Sequence, residues 1–142
     1  MKRVLLILIG LIPLILGYLL NYLMFISMIP LFIIYFAVWI IWFIAGLISI
    51  KLVDRKTESI LLLNTPAFLF LLLVLYQEII LSQYWPNLIG VIPQLFYTPF
   101  IYIGFRITPM FHSVFYAYIA SFLIMLIVSF SGRLVSERRK KA

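Results

Sequence analysis

The sequence predicts an all-α integral membrane protein: a four-span helical bundle with an outer re-entrant or interfacial helical hairpin between spans 3 and 4. Three observations lead there. Of 142 residues, 66% are hydrophobic and 11% charged, with a mean hydropathy of +1.23, whereas about a quarter of the residues of a soluble domain are charged. The apolar residues fall into four or five runs near the roughly 20 residues that cross a hydrocarbon core. Nearly all the cations flank those runs, as topology signals and anionic-lipid contacts do. The whole chain, residues 1–142, is read as a single membrane domain.

Span 1 covers about residues 4–22. Lys2 and Arg3 precede it, as in a signal peptide, but no small-x-small cleavage site follows, so the segment is expected to stay. Gly10, Pro13, Gly17 and Asn21 recur at helical spacings of three, four and four, which places them on one face as a packing seam. Span 2 covers about residues 30–50 after an uncharged turn. Its Trp39 and Trp42 lie mid-run, away from the interfacial belt, and are expected against lipid tails or a partner helix.

The loop KLVDRKTES, residues 51–59, holds three cations and is assigned to the cytoplasm. Asp54 and Glu58 stand four apart, but neighbouring Lys51, Arg55 and Lys56 neutralise them, and helix capping explains both. Span 3 covers about residues 59–82 and is expected to kink at Pro66. Asn64, Leu71 and Glu78 lie seven apart on one stripe, which should point into the bundle because polar groups are disfavoured against lipid. Span 4 covers about residues 113–131, with Ser113, Ala117, Ala120 and Ser121 as a small-residue side. A basic tail, residues 133–142, follows and is expected to act as a lipid-surface anchor whose cations are individually replaceable.

Residues 88–105 are apolar enough to cross but contain Pro93, Gln94 and Pro99. A fifth crossing would put five or six of the eleven cations outside in either orientation; four spans leave only Arg106 outside, with both termini cytoplasmic. Residues 84–107 are therefore read as an outer hairpin broken around Pro93 to Pro99. Proline leaves backbone groups unpaired at that depth, which is tolerated inside protein or beside water.

That placement gathers the candidate binding residues Glu78, Gln94, Tyr97, Tyr102, Arg106 and His112, with Glu78 and Arg106 as a potential ion pair and His112 titrating near neutral pH. The aromatic residues Tyr84, Trp85, Phe96, Tyr97, Phe100, Tyr102 and Phe105 make the hairpin the expected recognition surface.

Chemistry is sparse. Cysteine is absent, histidine occurs once and the acids are Asp54, Glu58, Glu78 and Glu137. Thiolate nucleophiles, disulfides and two-imidazole sites are excluded, and no metal or cofactor is implied. Ser82 or Ser113 with His112 and Glu78 lacks any nucleophile motif. The expectation is a non-catalytic accessory or binding subunit of a plasma membrane, bacterial in style. Its expected partners are membrane lipids and a membrane protein or further copies of itself, with no nucleic acid. A minimal oligomeric transporter coupled through Glu78 is the alternative.

Overall fold

In a computed structural model, residues 1–26, 31–83, 85–108 and 114–141 are described. Their elements are all helical: α1 (Lys2–Ile9), α2 (Ile12–Ile26), α3 (Leu31–Leu52), α4 (Lys56–Leu75) with a π-helical continuation (Tyr76–Ile80), α5 (Leu88–Ile107) and α6 (Val114–Lys141). With α1 and α2 taken as one stretch, five helical stretches among the described residues are long and apolar enough to cross a membrane.

The ends of the bundle are identified by their polar contacts. At the charged end Arg3 pairs with Glu58 at 2.7 Å, and Arg133 of α6 donates to the carbonyls of Val53 and Asp54 just past α3. At the opposite, far end the Glu78 carboxylate accepts from the Phe115 amide in the first turn of α6, and the Gln77 side chain accepts from the Trp85 amide.

Between these ends the helices are joined by close backbone approach and a few interior hydrogen bonds. Trp42 is buried, donates from its indole to the Met125 carbonyl at 3.0 Å, and meets Phe100 edge-on. Asn64 donates to Ser129 Oγ at 3.0 Å and ties α4 to α6. Within the expected stripe Asn64 and Leu71 are buried, and Glu78 reaches α6.

Gly10 and Gly17 do form a seam, but with two different helices. A Cβ on Gly10 would lie 2.4 Å from the Leu63 carbonyl of α4, and one on Gly17 would lie 1.7 Å from the Leu95 carbonyl of α5. Pro13 is buried, whereas Asn21 is exposed and takes no part. Pro66 is accommodated inside α4, facing Gly10.

The segment expected as a broken hairpin is assigned as helix throughout, α5 running from Leu88 to Ile107 with Pro93 and Pro99 inside it. Asn87 starts the helix by accepting from the Gly90 amide at 3.1 Å. Each proline removes only one backbone bond, to the carbonyl four residues earlier, here that of Ile89 or Leu95. The Leu95 carbonyl freed by Pro99 is the one that Gly17 of α2 packs against. Buried Phe96, Tyr97 and Phe100 hold the middle of the helix in the bundle, with Tyr97 Oη donating to the Ala67 carbonyl at 2.6 Å. Near its end, Gly104 is pressed against the Ala117 carbonyl of α6.

Candidate functional site

The far end is built from the last turns of α4. There the helix widens into a π turn, with the Leu81 amide bonded to the Tyr76 carbonyl five residues back at 3.2 Å. Such turns recur at functional sites. Ser82 then takes a positive φ of 52°, a left-handed conformation uncommon for residues other than glycine, and the chain reverses toward Trp85. The extra residue of the π turn places neighbouring Gln77 and Glu78 to do different work. Gln77 is fully buried: its Oε1 accepts from the Trp85 amide at 3.0 Å, and its Nε2 finds no acceptor among the described residues. Glu78 Oε1 accepts from the Phe115 amide at 3.4 Å, at the positive end of the α6 dipole.

Of the six residues expected to form one binding pocket, the five that are described do not come together as one group. Tyr97 is fully buried, its hydroxyl committed to Ala67, and Phe96 and Phe100 are core beside it. Those aromatics hold the fold together, and the recognition surface expected of them is corrected accordingly. Gln94 is partly buried in α5, and its carbonyl accepts from Thr98 Oγ1 at 2.9 Å. Arg106 donates to Tyr102 Oη at 3.0 Å with its guanidinium 5.4 Å from that ring. The ion pairs among the described residues are Arg3 with Glu58 and Arg133 with Glu137; Arg106 with Glu78 is not one of them. His112 and Tyr84 lie outside the described residues.

Tyr102 and Arg106 do share a surface, one that sequence reasoning missed. Tyr102 stacks on Tyr35 of α3, with centroids 5.1 Å apart and planes 7° apart. The pair forms the wall of a groove of about 460 Å³ between α3 and α5, completed by Phe32, Ile33, Phe36, Trp39 and Ile103. The signal was present as aromatics at i and i+4 on α3, Phe32 with Phe36 and Tyr35 with Trp39. Nothing local in the sequence showed that α5 would supply the other side. The Trp39 indole N–H is buried and without an acceptor among the described residues.

A second feature missed is Arg133. It is 1% exposed and donates to the Val53 carbonyl at 2.9 Å, to the Asp54 carbonyl at 2.5 Å and to Glu137 at 3.1 Å. The basic tail is thus not uniformly a surface anchor. Its first cation is an interior lock, while Arg138 and Arg139 are exposed.

Among the described residues no three His, Cys, Asp or Glu side chains come together as metal ligands would. Compared with protein families, curated proteins and solved structures, the chain matches none.

Proposed function

We propose that this is a small non-catalytic multi-pass membrane protein acting as a binding or accessory subunit, and that its contact surface is the aromatic groove between α3 and α5. The observation that carries this reading is how the polar groups inside the bundle are employed. Glu78 meets the α6 amino end, Arg133 the α3 carboxyl end, Tyr97 a carbonyl and Gln77 a loop amide. Each serves the fold, whereas the groove presents Phe32 and Phe36, large aromatic side chains that stand exposed beside the Tyr35–Tyr102 wall. The carrier reading gains no support from Glu78, whose carboxylate is turned to a helix terminus.

We also infer four spans, both termini in the cytoplasm of a bacterial-type plasma membrane, and α5 as a helix that enters the outer half and, bent at its prolines, returns. Three contacts support the return. α5 is entered from Trp85 beside Gln77, its middle reaches Ala67, about 15 Å down α4 at 1.5 Å per residue, and Gly104 then packs on Ala117, two residues past Phe115 at the far end of α6. The distribution of the cations agrees, with Arg106 alone outside.

Photo-crosslinking in cells tests the binding reading. A benzophenone side chain at Phe36 should give one discrete adduct. The same probe at Leu5 or Leu69, exposed elsewhere on the bundle, should give only the diffuse products of bulk lipid. Indistinguishable patterns at all three positions would defeat it.

A further inference from the structure

Resting on the reading of the α3–α5 groove as the contact surface, we infer its occupant: one anionic glycerophospholipid of the outer leaflet, an acyl chain in the groove and its phosphate on Arg106. Two observations select this ligand over a partner helix. The first is length. The groove runs along α3 from Phe32 to Trp39, seven residues or roughly 10 Å. A spanning helix would need a track of about 30 Å, while one leaflet offers a chain about half that depth.

The second is charge. Tyr102 lines the groove, and Arg106 stands one helical turn farther along α5, fixed by its bond to Tyr102 Oη and its position near that ring. Tyr102 is in turn held by the stack on Tyr35. A guanidinium positioned in this way keeps its remaining N–H groups for a phosphate oxygen, which it binds with charge-assisted hydrogen bonds. The acid at the same end, Glu78, is directed at the Phe115 amide of α6. The ten other cations of the chain lie before residue 57 or after residue 132, so a headgroup at this end of the groove has Arg106 as its cation. A zwitterionic lipid offers the same phosphate but adds an ammonium that Arg106 repels, and this gives the site a headgroup preference.

Native mass spectrometry of the full chain in a non-ionic detergent tests the inference. Dioleoylphosphatidylglycerol should be retained as a single adduct at about tenfold lower lipid concentration than dioleoylphosphatidylcholine. Arg106→Gln should erase that preference, and Arg139→Gln, on the exposed tail, should leave it intact. Ile103→Trp, which fills the groove, should lower retention of both lipids, and glycerol phosphate without acyl chains should not be retained. Should Arg106→Gln fail to fold, Arg106→Lys supplies the readout by narrowing the preference without abolishing it. Equal retention of the two lipids by the unmodified protein would overturn the inference, as would a preference that follows Arg139 instead of Arg106. If the discrete adduct at Phe36 proves to be a protein, the lipid assignment falls while the binding reading stands.

Discussion

Arg133 is a guanidinium enclosed at the carboxyl end of α3, and Glu78 is a carboxylate at the amino end of α6. Each sits where the helix macrodipole favours its sign, an effect of about 0.3 to 1 kcal/mol at a surface and up to about 2 kcal/mol when partly buried. Arg133 does more, because its planar fork satisfies Val53, Asp54 and Glu137 together. Its removal leaves two carbonyls and a carboxylate short of a donor. Arg133→Ala should therefore cost on the order of 3 kcal/mol. Arg133→Lys should recover only part of this, since one ammonium cannot span the three acceptors. Arg139→Ala should stay within about 0.5 kcal/mol. Equilibrium unfolding in mixed micelles measures all three, and equal costs at residues 133 and 139 would contradict the interior lock. Nothing in the run RLVSERRKK marks Arg133 as different from its neighbours. What distinguishes it is the position of the α3–α4 loop, eighty residues away in sequence.

At the level of the helices, glycine rather than side-chain bulk decides how α5 is seated. Substituting alanine for glycine inside a helix ordinarily stabilises it by roughly 1 kcal/mol. Here the sign should reverse. A methyl at Gly17 would stand 1.7 Å from the Leu95 carbonyl and one at Gly104 2.3 Å from the Ala117 carbonyl, so the backbones must separate. Gly17→Ala and Gly104→Ala should each lower the thermal midpoint of the folded protein by several degrees, as seen by loss of a monodisperse gel-filtration peak on heating. A rise in midpoint would mean that the helices do not approach there. The seam on α2 was legible from glycine spacing, because only small residues admit a second backbone. Its partner was not, because α5 carries two prolines that read as a break. A proline can bend a helix without ending it, and the surroundings of Pro99, with residue 17 packed against residue 95, are not visible in local sequence.

Across the whole molecule, the runs of apolar residues located the helical stretches well, since a hydrocarbon solvent imposes one dominant rule on spanning segments. The re-entrant lie proposed for α5 is tested by labelling. Cysteines placed at Lys56 and Arg139 should be shielded from an impermeant thiol reagent in intact cells, while one at Asn87 should react; the absence of native cysteine keeps the background low. Reaction at Arg139 from outside would show that α5 crosses. The contacts of α5 with α2 on one side and α6 on the other also have a consequence for biosynthesis. α2 is synthesised some sixty residues before α5, and the 28 residues of α6 only after it. Until α6 arrives, Gly104 lacks its neighbour on Ala117, and the Trp42 indole that abuts Phe100 lacks the Met125 carbonyl. A nascent chain halted before Val114 would carry α5 with half its seat missing. Of the described contacts that seat α5, those from α6 are thus the last to form during synthesis.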